Sequence, residues 1–211
     1  MNALDRKKHW ETVYNTKMPH QVSWTQDIPT TSLLLIQSLN LTKDAHIIDV
    51  GGGDSKLVDF LLQSGFKNIT VLDISEKALE RAQSRLGDDA KKVNWIVSDI
   101  TTFKPNTTFD VWHDRATFHF LTDKEQVAQY TSIVQKAANR FLILGTFSVN
   151  GPTKCSGLDI QQYSEQTLTE VFKDEFEKLQ CITENHTTPF NTIQNFLFCS
   201  FKRYVNKNNK D

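Results

Sequence analysis

The chain has 211 residues, enough for one sizeable α/β core and short for two independent domains. Its 24 basic and 25 acidic side chains leave a formal net charge of −1, so no global field recruits nucleic acid or an anionic membrane. No apolar run approaches the roughly 20 residues that span a bilayer, and the opening "MNALDRKKHWETVYNTK" lacks the apolar core of a secretory signal, so a soluble cytoplasmic protein is expected. Cys155, Cys181 and Cys199 form no C-x-x-C pair, which points to reduced thiols and away from a disulfide framework or a zinc site; no metal is expected.

Segments of helical and strand character alternate along the chain. Residues 4–16 and 30–39 read as helices, forming an N-terminal cap region over 1–40. "AHIIDV" (45–50) is an apolar run bounded by glycine, as in a buried parallel strand. A helix follows from Ser55 to Gly65, then a strand at 69–74 and a helix that Ser75 caps. Strands are expected at 93–100 and 109–114, a helix at 124–138 and a fifth strand at 140–148. After a long loop at 150–164, Ser164 opens another helix, and two alternating runs at 176–188 and 192–204 read as paired strands. Five β/α units closed by such a pair predict a Rossmann-like, doubly wound sheet of seven strands, mostly parallel with a C-terminal antiparallel pair. One domain is expected over 1–205, with a polar tail at 206–211.

The first strand runs straight into Gly51, Gly52 and Gly53. In an open α/β sheet, ligands sit at the carboxyl ends of the strands, and glycine there admits a ligand against bare backbone ahead of a helix N-terminus. A tight strand-to-helix turn without a ligand is the alternative. The dinucleotide fingerprint would need a glycine where Lys56 stands, and no G-K-[ST] closes a phosphate loop. Asp73 ends the second strand 22 residues beyond Gly51, where a carboxylate can accept both hydroxyls of a ribose. Asp99 ends the third, placed to accept from an exocyclic amine such as adenine N6. Ile74 and Ile100 follow these carboxylates as further candidate contacts. Asp49 stands beside the turn, to orient it or to hold an ammonium through water. Ribose and adenine without a pyrophosphate point to S-adenosylmethionine.

"IIDVGGGDS", "VLDIS" and "WIVSDI" resemble three motifs of the class I S-adenosylmethionine-dependent methyltransferases over residues 45 to about 147. The resemblance implies a methyltransferase with S-adenosylmethionine as cofactor and S-adenosylhomocysteine as product. One departure is Ser55, where the family often carries a third glycine. A non-catalytic cofactor-binding or interaction module on the same fold is the second reading.

Methyl transfer from a sulfonium is an in-line displacement with an activated electrophile, so positioning and water exclusion do most of the work. The end of the fourth strand reads "DVWHDRATFHFLTD". Asp114, Arg115 and His119 are the candidate catalytic residues: Asp114 or His119 to take a proton, Arg115 to fix an acidic substrate group. A structural ion pair and a core histidine are the competing account. Trp10, Tyr14 and Trp24 would put aromatic faces toward a cation as a lid, or simply pack the N-terminal helix. Cys155, in the long loop, reads as a reactive thiol or an inert one. "HDRATFHFL" resembles both thiopurine S-methyltransferase-like enzymes and the lysine methyltransferases of citrate synthase and elongation factor. A small-molecule acceptor and a protein lysine therefore both stay open.

Overall fold

The computed structural model describes residues 3–205, so the expected tail at 206–211 lies outside the described residues. Helices α1 (Ala3–Thr16) and α2 (Thr30–Ser38) precede β1 (His46–Val50). Then come α3 (Leu57–Gln63), β2 (Asn68–Asp73), α4 (Glu76–Leu86), β3 (Val93–Val97), β4 (Phe109–Arg115), α5 (Lys124–Ala137) and β5 (Ala138–Phe147). A small hairpin, β6 (Lys154–Cys155) and β7 (Leu158–Asp159), leads to α6 (Glu165–Phe172), β8 (Phe176–Thr187) and β9 (Ile193–Arg203).

The main sheet has seven strands in the order β3-β2-β1-β4-β5-β9-β8. β1 to β5 pair in parallel, whereas β9 runs antiparallel to both β5 and β8. Strand order reverses between β1 and β4, which opens a crevice at their carboxyl ends. The seven-stranded α/β fold is the one the sequence predicts.

Alternate residues of each strand feed two cores. Ile48, Val50, Leu72, Trp112, Leu142 and Leu144 pack with Tyr130 and Val134 of α5 and Leu168 and Phe172 of α6. Their neighbours Ile47, Ile69, Val71, Val111 and Ile143 pack on the other face with Leu35 and Ile36 of α2, Leu57 and Leu61 of α3 and Leu79 of α4. Helix starts carry the expected caps: the Ser75 hydroxyl accepts from Ala78 N and the Ser164 hydroxyl from Thr167 N. Several boundaries differ from expectation by a residue or two, and β3 by more at one end. β3 stops at Val97, because the Asp99 carboxylate accepts from Thr101 N and winds 100–102 into a single 3-10 turn. α3 begins at Leu57, two residues after Ser55, whose hydroxyl accepts from Leu57 N at 3.2 Å.

The cysteine expectation is corrected by register. Cys181 of β8 lies directly opposite Cys199 of β9, with Cα atoms 4.2 Å apart, and the two form a disulfide; Cys155 stays free and buried. Alternation alone does not reveal which residues of a hairpin face each other, so the pair is invisible until the turn is known. A disulfide belongs to oxidising settings, and the thiol count therefore no longer supports a cytoplasmic location. Among the described residues no helix is long and apolar enough to cross a membrane.

The bridge closes a segment with a sequence separation of 18 residues, for which chain-entropy arguments give about 3 kcal/mol. Urea unfolding with and without a thiol reductant is expected to differ by about that amount, and a Cys181→Ser/Cys199→Ser variant is expected to match the reduced protein.

Candidate active site

The sheet parity that builds the two cores also sorts the polar residues. Asp49 follows Ile48 on β1, Asp73 lies two residues beyond Val71 on β2, and His113 and Arg115 lie two and four beyond Val111 on β4. All four fall on the α2–α4 face and line one cavity of about 220 Å³ at the strand ends. Trp24, Gly51, Gly52, Ile74, Asp99 and Ile100 share its wall, and Trp10 and Tyr14 of α1 close it from above. Trp10 stands edge-on to Trp24 and Phe120, with centroids 5.7 and 5.1 Å away.

The three glycines serve the protein's own packing. Gly51 and Gly52 N–H both donate to Leu72 O, at 2.7 and 3.2 Å, so these two groups are turned into the sheet. Gly51 has φ +65, and a Cβ there would come within 1.6 Å of Thr117 Oγ1. A Cβ on Gly53 would meet the Tyr14 hydroxyl at 2.6 Å, and one on Gly52 would meet Asp49 and Val71, both at 2.7 Å. A Cβ at any of the three would thus press on Thr117, Asp49 or Tyr14, and a valine at Gly51 or Gly53 would strain the turn itself.

Asp73 is buried at the cavity wall, with Oδ1 accepting from Ser75 N at 2.8 Å. Burial pushes its carboxyl up to about 7 against the Ser75 and Gly53 N–H groups that hold it down. Asp99 is fully engaged: Oδ1 accepts from Thr101 N and Oγ1, and Oδ2 from Arg6 Nε and Nη2 at 3.0 and 2.7 Å. A carboxylate offers about four acceptor sites. An amine expected at Asp99 therefore competes with Arg6. Helix α1 is held by further polar contacts, since Glu11 accepts from Ser75 Oγ and from Glu76 and Lys77 N at the start of α4.

Sequence reasoning missed two residues here. His113 Nδ1 donates to Asp49 Oδ1 at 2.7 Å, while its Nε2 pairs with Ser32 Oγ at 2.9 Å. All three are buried and line the cavity. The i, i+2 spacing of His113 from Arg115 was the available signal: two residues of one strand on one face, opposite Asp49 in the β1–β4 register. Ser32 carried none, being a first-turn serine among leucines.

The three candidate catalytic residues are separated. Asp114 points to the opposite face, under α5. Its Oδ1 accepts from Thr117 N and Phe118 N, its Oδ2 from the Tyr130 hydroxyl at 2.7 Å, and burial raises its carboxyl to about 6. This network fixes the turn after β4, where Ala116 sits at φ +68. His119 is buried against Phe147, with ring centroids 4.6 Å apart, and its Nδ1 accepts from Phe147 N. Burial, then the charge of Arg115, lowers it to about 3, so the ring is neutral and its acceptor nitrogen is taken. Neither residue lines the cavity, so the placement does not favour a proton-accepting role for either. Arg115 does line it. So does Cys155, whose thiol burial pushes up, away from reactive thiolate character.

Comparison with known proteins gives a consistent picture. A family model described as a methyltransferase domain matches residues 47–137. EEF1A lysine methyltransferase 2 of Danio rerio is 24% identical over 195 residues, covering 83% of this chain and 77% of that protein. Among solved structures, a SAM-dependent methyltransferase from Anabaena variabilis superposes with TM-score 0.76 at 14% identity, covering 97% and 96% of the two chains. N-methyltransferase NodS of Bradyrhizobium japonicum, in complex with S-adenosyl-L-homocysteine, gives 0.67 at 18%, covering 85% and 90%. At these identities the two structures show the fold.

The glycine turn yields a direct test. Gly51→Ala is expected to cost about 1–2 kcal/mol from its left-handed backbone alone, and more from the Thr117 side chain. Urea unfolding measures the loss, and Thr117→Ala in the double variant is expected to recover the part due to the Thr117 hydroxyl while leaving the backbone part and the 2.9 Å contact with the Thr117 Cβ.

Proposed function

We propose that the chain is a class I S-adenosylmethionine-dependent methyltransferase, a reading supported by the matched methyltransferase-domain model and by the fold, and that it methylates a nucleophile on a small molecule or a protein lysine. We read residues 1–205 as one methyltransferase domain, with 1–40 as its cap. The single observation that carries the reading is a cavity lined at once by Asp49, Asp73 and Asp99, from the ends of three neighbouring strands or the turns just beyond them.

The residues fit a nucleoside better than a dinucleotide. With the N–H groups of Gly51 and Gly52 both spent on Leu72 O, those two donors are not turned toward a pyrophosphate. In its ionised form Asp73 accepts from the two ribose hydroxyls, and Ile74 and Ile100 flank the base. Asp49, steadied by His113, faces the amino-acid end, and Trp24 lies on the same wall. When bound, the sulfonium supplies an activated methyl group. The chain's part is to orient the acceptor and exclude water, for which the roof of Trp10, Tyr14 and Trp24 is suited. In this reading Asp114 sets the turn that places Arg115, His119 anchors Phe147, and no side chain is assigned as a dedicated base.

The relative from Danio rerio supports a lysine acceptor and the resemblance to thiopurine S-methyltransferase-like enzymes a small molecule. The absence of Asp114 and His119 from the cavity lining leaves one second reading, a cofactor-binding module without transferase activity. Incubation with radiolabelled S-adenosylmethionine and cell extract, split into protein and small-molecule fractions, separates them. Label in either fraction supports the enzyme, and none with intact cofactor binding supports the module.

Protonation of Asp73 gives the pH dependence its sign. The ionised carboxylate is the form that accepts from a diol, and in the free protein it is reached only above about 7. Calorimetry is expected to find affinity for S-adenosylhomocysteine falling up to about tenfold per pH unit below that value and level above it. Binding near pH 7 should release about half a proton to the buffer. Asp73→Asn should bind about 10- to 100-fold more weakly, with no such slope and no proton release.

A further inference from the structure

The cavity spans two halves of the sheet. Asp49, Asp73 and Asp99 belong to the β1–β2–β3 half, while Arg115, Phe147 and Phe196 come from β4, β5 and β9 on the other side of the switch point. If the first half takes the cofactor, as proposed above, the second receives the acceptor, and the present inference rests on that reading. Its walls are aromatic: Phe120, Phe147 and Phe196 line it, with Trp10 and Trp24 above.

Arg115 is the one cationic side chain on this aromatic wall. Its Nη1 donates to Trp24 O at 3.0 Å, and the guanidinium lies over the Phe196 ring, 5.3 Å from the centroid. These contacts fix the plane of the group. Nε and Nη2 are shielded from solvent and have no hydrogen-bond partner. They are the two donors along one edge of the guanidinium, the edge that matches a carboxylate with two parallel bonds. Arg6 uses the same two atoms on Asp99. Among the described residues no carboxylate oxygen lies within 4.0 Å of Arg115; Glu184 and Asp49 act on it from farther away, Glu184 with Oε1 engaged by Gln26 and its buried Oε2 without a hydrogen-bond partner. Burial lowers Arg115 to about 10, which leaves it charged at neutral pH.

A buried donor without a partner costs roughly 1–3 kcal/mol, more when charged. An acceptor that satisfies both donors recovers that penalty, whereas a lysine ammonium would add a second cation to the site. We propose that the acceptor is a small molecule bearing a carboxylate on an apolar or aromatic body, docked edge-on to Nε and Nη2 of Arg115 with the body against Phe120, Phe147 and Phe196.

Three probes of one shape separate charge from packing: phenylacetate, phenylacetamide and 2-phenylethylamine. They are titrated calorimetrically into the protein with and without saturating S-adenosylhomocysteine. Phenylacetate is expected to bind at least tenfold more tightly than the amide, and the amine not measurably. Arg115→Gln should weaken phenylacetate about 10- to 100-fold while leaving the amide unchanged. Arg115→Lys, which keeps the charge and loses the fork, should restore only part of the difference. An amine that binds as well as the carboxylate, a preference that survives Arg115→Gln, or no binding by any probe overturns the proposal. Failure of S-adenosylhomocysteine to bind would instead count against the cofactor reading, and the arm without it still reports the charge preference.

Discussion

Side chains of successive strand residues point to opposite faces, and nearly everything about this site follows from that period of two. On β4 the rule places His113 and Arg115 in the cavity and sends Asp114, between them, to the far side of the sheet. Three adjacent polar residues thereby acquire unrelated duties. Asp114 binds two backbone N–H groups and the Tyr130 hydroxyl, and so determines where the chain turns; Arg115, one residue earlier than that turn, inherits a fixed position. The charge under the sheet and the charge over it depend on each other through the backbone rather than through contact.

The fold was legible because its signals are local and repeated. Apolar runs bounded by glycine, serine caps at Ser75 and Ser164, and the switch to alternating strands near the C-terminus each name an element without help from the rest. The end of β3 slipped because a side chain captured the backbone, as Asp99 does at Thr101.

The site was legible in part. Asp49, Asp73 and Asp99 could be read from their positions at strand ends, because topology alone brings those ends together. What could not be read was which polar groups satisfy one another. The partners of His113, Asp99 and Arg115 come from Ser32, Arg6 and Trp24, far away in sequence and on segments with no periodic link to the sheet. The glycine turn illustrates the same limit. Three bare residues signal close approach, yet the approaching atoms turn out to be Thr117, Tyr14 and Asp49. The Cys181–Cys199 bridge was hidden for a related reason, since it depends on hairpin register.

Helix α1 buries Val13 and Tyr14, packs Trp10 against Trp24 and Phe120, and adds polar contacts to its docking. One of them, Arg6 on Asp99, occupies lone pairs that an incoming amine would also need. Helix and ligand then draw on the same four acceptor sites, which makes their affinities reciprocal. Whatever factor the docked helix takes from the ligand, the ligand takes from the helix. A sequence change on α1 that tightens the Arg6–Asp99 contact would appear as weaker binding of an amine that needs the same carboxylate.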